Sequence, residues 1–121
     1  MTREQFDALC ATRPGATRSG PGELDSWKVG GKMFACWGDY AHRDTNTATV
    51  VVATPDRETA EMLVEAGAAH WPPYFRGAWV GLTLDGLDVD EARHRIAVSY
   101  ARVRAGLTKK AQSDLPPLEE S

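Results

Sequence analysis

The stretch Trp27-Lys28-Val29-Gly30-Gly31-Lys32-Met33-Phe34-Ala35 decides the fold. Two apolar-rich runs flank a Gly-Gly pair, and glycine takes positive φ at both central positions of a primed turn without steric penalty. A β-hairpin with a two-residue turn follows. In that register Val29 faces Lys32, Lys28 faces Met33 and Trp27 faces Phe34, so Trp27 and Phe34 make an aromatic cross-strand pair. Side chains alternate along a strand, which sends Lys28 and Lys32 to opposite faces of the sheet.

Upstream of the hairpin, Thr2 with Gln5 reads as a capping box. Phe6, Leu9 and Cys10 recur at helical spacing, predicting a helix over 3–12 stopped by Pro14-Gly15. The glycine-rich residues 15–26 form a loop or a poorly formed edge strand. Downstream, Gly38-Asp39-Tyr40-Ala41-His42-Arg43-Asp44-Thr45-Asn46 is a polar connection to a Val-rich strand over 47–53. Thr54 before Pro55, with Asp56 and Glu58 in the first turn, opens a second helix. Ala60, Leu63 and Val64 give it an apolar stripe and Gly67 ends it. A strand over 79–84 closes at Asp85-Gly86, and the longest helix starts at Asp88 or Asp90 and runs to Leu107. Residues 112–121 carry Pro116-Pro117 and Glu119-Glu120 and read as a disordered tail. This order predicts an α+β two-layer sandwich, an antiparallel sheet with helices packed on one face, as a single domain over 1–111.

The 121 residues are 42% hydrophobic and 26% charged, with a net charge of −3 and four Trp, which is the composition of an ordinary globular domain. Such a chain buries roughly two thirds of its unfolded surface, enough for one core but not for a deep cleft between two domains. No apolar run approaches the roughly 20 residues that span a bilayer, and no signal-type apolar core follows the N-terminus, so the expected location is cytoplasmic. Cys10 and Cys36 fall in different elements among apolar neighbours, as two buried thiols rather than a disulfide.

Four segments together resemble the MmcQ/YjbR-like family: Leu9 to Gly15, Lys28 to Ala35, Pro72-Pro73-Tyr74-Phe75-Arg76-Gly77-Ala78-Trp79-Val80, and Ser99-Tyr100. The resemblance covers all but the tail. It implies a frataxin-like (CyaY-like) α+β fold and DNA binding, by similarity of the curved sheet to a double-wing reader. One departure is that the family often carries an Asn-Lys pair before the Trp of its last strand, where this chain has Arg76-Gly77-Ala78.

A net charge of −3 gives no bulk attraction to phosphate, so support for DNA must come from local asymmetry. Between Ala92 and Ser113 stand Arg93, Arg95, Arg102, Arg104, Lys109 and Lys110 with no Asp or Glu. On a continuous helix Arg95, Arg102 and Lys109 share a flank at steps of about 10 Å, a row able to follow a phosphate backbone. The plainer alternative is a solvated face whose last lysines complement the helix dipole. A wing reading adds Lys28 and Lys32 near the hairpin tip, with Arg76 the one cation left before Trp79, although lysine on an exposed strand also serves as a guard against edge pairing.

Trp71, Tyr74, Phe75 and Trp79 make up either a core cluster or a ligand pocket and base-stacking platform. A frataxin-like fold raises the question of iron, yet His42, His70 and His94 are scattered. Asp39, His42 and Asp44 lack ligand spacing, and the first helix carries only Glu4 and Asp7, so no metal or other cofactor is expected. Ser99 lacks a nucleophile-elbow context, Cys36 has no evident base, and no glycine loop opens a helix. The expectation is a monomeric, non-enzymatic DNA-binding protein contacting phosphates through Lys28, Lys32, Arg76, Arg95, Arg102 and Lys109. The alternative is a protein- or small-ligand-interaction module built on the aromatic segment.

Overall fold

In the computed structural model, which describes residues 1–38 and 48–118, the hairpin turns at Gly30 and Gly31 with φ of 56° and 82°. It joins β2 (Ser26–Val29) to β3 (Lys32–Gly38), and around it stand α1 (Arg3–Ala11), β1 (Thr17–Arg18), β4 (Thr49–Ala53), α2 (Arg57–Glu65), β5 (Trp79–Thr83), α3 (Val89–Ala105) and α4 (Lys109–Ser113). The five strands form one antiparallel sheet in sequence order. Phe6, Cys10, Val50, Val52, Val80, Leu82, Ala92, Ile96 and Tyr100 join the sheet to the helices in one core. The expected polar connection, with Asp39, His42, Asp44 and the start of its strand at Thr47, lies outside the described residues.

One expected pairing is corrected. Val29 does face Lys32 and Lys28 does face Met33, but Trp27 faces Ala35, and Phe34 has no partner on β2. This two-against-one step is a β-bulge, which turns two successive side chains toward the same face. Phe34 and Ala35 both enter the core, where the Phe34 ring stands edge-on to Tyr100 at 5.4 Å and 85°. Burying a Phe side chain stabilises by about 1.5–3 kcal/mol, more than an aromatic pair on the sheet surface returns. The bulge also interrupts the β3–β4 ladder beyond Ala35 and Val52. There the buried Ser99 hydroxyl donates to the Phe34 carbonyl (2.5 Å) and accepts from the Ala53 N–H (2.8 Å), completing the pairing that the backbone alone does not make.

Trp27 instead turns toward α1. Its indole N–H donates to Oδ1 of Asp7 at 2.8 Å, and the Trp37 indole donates to the same oxygen at 3.1 Å. Arg18 reaches the other oxygen at 3.2 Å, so a single carboxylate ties the first helix to β1, β2 and β3.

Helix starts follow their capping chemistry, with one shift. Thr2 and Gln5 form the reciprocal capping box. The second helix is capped by Asp56 rather than opened at Thr54, whose N–H extends β4 by donating to the Ala78 carbonyl at 2.9 Å. The Asp56 carboxyl is held below its ordinary range, first by the Thr59 backbone N–H, then by the Thr59 side chain and, after the opposing effect of burial, by the Arg102 charge.

The single long helix to Leu107 is also corrected. Helix α3 ends at Ala105 with Gly106 as its cap, and Thr108 caps a new short helix by accepting from the Ala111 N–H. Residues 112–116 of the tail expected to be disordered follow the domain: Leu115 meets the core and the Pro116 carbonyl accepts from Arg104 at 2.8 Å, while Leu118 is exposed. The physical reason is Arg104. This buried cation also donates to the Tyr100 hydroxyl at 2.7 Å, which in turn donates to the Pro14 carbonyl at 2.5 Å. Residues 119–121 of the expected tail lie outside the described residues.

Candidate nucleic-acid interface

Of the six cations singled out in the sequence, three converge. Lys32 at the start of β3, Arg76 before β5 and Arg102 near the end of α3 line one open groove of about 570 Å³, together with Met33, Ala53, Trp79 and Val103. The hairpin brings Lys32 there, the end of the sheet brings Trp79, and the last turn of α3 brings Arg102.

Ion pairing divides the cations of the described residues, and the three groove cations fall with Arg13, Arg104 and Lys109 among those without a carboxylate partner. Arg3 and Arg18 pair with Asp25, Lys28 with Glu23, Arg57 with Glu61, Arg93 with Asp90, and Lys110 with Asp114. Among the described residues Lys32, Arg76 and Arg102 have no carboxylate within ion-pair distance. Arg102 is held instead by a hydrogen bond to the Pro55 carbonyl, and its charge acts on the Asp56 carboxyl from beyond ion-pair distance.

The other three predicted contacts lie elsewhere. Lys28 neighbours Met33 on the face opposite Lys32 and is neutralised by Glu23. Arg95 is only 13% exposed, with its Nε 3.0 Å from a Glu91 oxygen but without aligned N–H geometry. Lys109 is exposed on α4, a separate helix, so the row of Arg95, Arg102 and Lys109 along one flank does not exist.

The aromatic segment likewise divides rather than closing into one pocket. Trp71, 41% exposed, has the Arg57 guanidinium over its ring at 4.3 Å, and Arg57 also donates to the Gly77 carbonyl at 3.1 Å. Arg57 thereby pins both ends of the 71–77 segment to α2, a role the sequence reading missed. Phe75 and Trp79 lie 5.4 Å apart at 51°, and Trp79 forms part of the groove. Tyr74 is fully exposed and takes φ of 68°, a left-handed conformation that costs a non-glycine residue about 1–3 kcal/mol.

Charge is distributed by ends. A second groove of about 480 Å³ lies where β5 finishes and α3 begins, lined by Asp85, Asp88 and Glu91 with the buried His70. The 17 residues of α3 separate the two ends by about 25 Å. Asp85, Asp88 and Glu91 thus stand at the end of α3 away from the groove of Lys32, Arg76 and Arg102. The arrangement also complements the dipole of α3, with Asp90 and Glu91 in its first turn and Arg102 and Arg104 in its last. Among the described residues no three His, Cys, Asp or Glu side chains stand together as a metal site, and no helix is long and apolar enough to cross a membrane.

A five-stranded antiparallel sheet with helices packed against it, and a cationic groove at one end, define an α+β domain of the kind the four sequence segments suggested. Residues 11–102 match the model of the YjbR family, and the chain belongs to that family. No curated protein matches it.

Proposed function

We propose that this chain is a non-enzymatic DNA-binding protein that contacts phosphates through the groove formed by Lys32, Arg76 and Arg102. The observation that carries the reading is the convergence, from three separate segments, of cations that lack carboxylate partners. An unpaired cation retains its full attraction for phosphate, whereas the paired arginines and lysines elsewhere must first give up an existing partner. Trp79 and Met33 supply apolar surface beside the charges, suited to sugar and base contact. Anisotropy of a labelled oligonucleotide titrated at low salt tests the proposal. Saturable binding that K32Q/R76Q/R102Q abolishes supports it; equal binding by wild type and triple variant contradicts it.

A further inference from the structure

We infer that the preferred ligand of this groove is single-stranded DNA, with Tyr74 as a base-stacking platform beside the phosphate contacts. The inference rests on the proposed DNA-binding reading and narrows it to one class of nucleic acid.

Two features disfavour a duplex. A wing that straddles a double helix needs cations displayed together at the hairpin tip, but Lys28 and Lys32 occupy opposite faces and Lys28 is neutralised by Glu23. A helix that tracks a duplex backbone needs a row of charges, and that row is broken by the largely enclosed Arg95 and by the helix end before Lys109. What remains is a compact cluster of three cations around one groove, which matches a flexible strand that can bend its phosphates toward them.

Tyr74 supplies the second part. Its ring is 100% exposed, so burial returns nothing for the left-handed φ of 68° that it adopts. A strained, solvent-facing aromatic is a conformational outlier of the kind that points to a ligand. Two residues along, Arg76 lines the groove, and two residues of chain span at most about 7 Å. The segment is fixed, because Arg57 holds it at Trp71 and at the Gly77 carbonyl. The exposed ring is thus carried on the same short segment as a groove cation; every unpaired base offers it a π-face, and a paired base inside a duplex does not.

The test is anisotropy of a labelled oligothymidine and of a duplex of equal length at low salt, with wild type, Tyr74→Gly and Tyr74→Phe. Glycine accepts the left-handed conformation, so Tyr74→Gly removes the ring without unfolding the segment, and its melting temperature should be no lower than wild type. The expected result is single-strand binding at least about tenfold tighter than duplex, weakened roughly five- to hundredfold by Tyr74→Gly and retained by Tyr74→Phe. Equal or tighter duplex binding overturns the inference while leaving the DNA-binding reading in place. Single-strand binding that Tyr74→Gly does not change also overturns it, by reducing the site to phosphate contacts alone. Absence of binding to either oligonucleotide overturns both.

Discussion

Replacing Ser99 by alanine should destabilise the domain far more than the loss of one small hydroxyl suggests. The Oγ atom stands between two backbone groups that the Phe34 bulge has separated, donating to one at 2.5 Å and accepting from the other at 2.8 Å. Ser99 is fully buried, and water has no access to replace it. Ser99→Ala therefore strands a buried carbonyl and a buried N–H, each costing about 1–3 kcal/mol. Allowing for partial relaxation, the expected loss is about 2–5 kcal/mol, or about 8–20 °C in melting temperature for a chain of this size. Urea denaturation followed by tryptophan fluorescence measures it, and the slope should match wild type because the same surface is exposed on unfolding. A loss below about 0.5 kcal/mol would show that β3 and β4 close the gap themselves and would refute the bridging role.

Two further outcomes follow from the turn and the core. Gly31→Ala should cost about 1–2 kcal/mol through its positive φ alone, because a Cβ there meets open space. Gly30→Ala should cost more, since its Cβ would lie 2.5 Å from a Leu107 methyl; equal melting temperatures for the two variants would contradict this. Burial, and after it the Asp7 carboxylate, push the Cys10 thiol up. Above the ordinary thiol pKa of about 8.5 the unfolded chain loses this proton while the native state keeps it, so stability falls as pH rises. Comparison with Cys10→Ala from pH 8 to 10 should isolate a slope approaching about 1.4 kcal/mol per pH unit; parallel stability curves would contradict it.

The local chemistry of the chain was readable and its long-range convergence was not. Gly30-Gly31 specified the turn, and Thr2 with Gln5 specified the first cap, because both signals act within four residues. The register beyond Lys28 was hidden, since the bulge is completed by Ser99, 65 positions away from Phe34. The end of α3 was in the sequence after all: Gly106 followed by Thr108 is a stop and a new cap. Periodicity carried the helix past Gly106 to Leu107 and the basic row on to Lys109, and the structure divides that row. The groove was partly legible, in that Lys32, Arg76 and Arg102 were among the candidates. What distinguished them from Lys28 and Arg95 was Glu23, five positions from Lys28, and Glu91, one helical turn before Arg95, both local partners that sequence spacing offers. Arg104 stands in the sequence as one of six cations between Ala92 and Ser113, and nothing local announces that its donors are taken by Tyr100 and Pro116.

The most direct test of the groove is the dependence of DNA affinity on salt in wild type, in K32Q/R76Q/R102Q and in the control K28Q/R93Q, which removes two paired cations outside the groove. Three phosphate contacts give a log–log slope of about −2.1 on a single strand and about −2.7 on a duplex, or roughly 20- to 40-fold weaker binding between about 50 and 200 mM salt. That slope is expected for wild type and the control, and for the groove variant either no measurable binding or a residual affinity with a slope near zero. A groove variant that keeps the wild-type slope would contradict it.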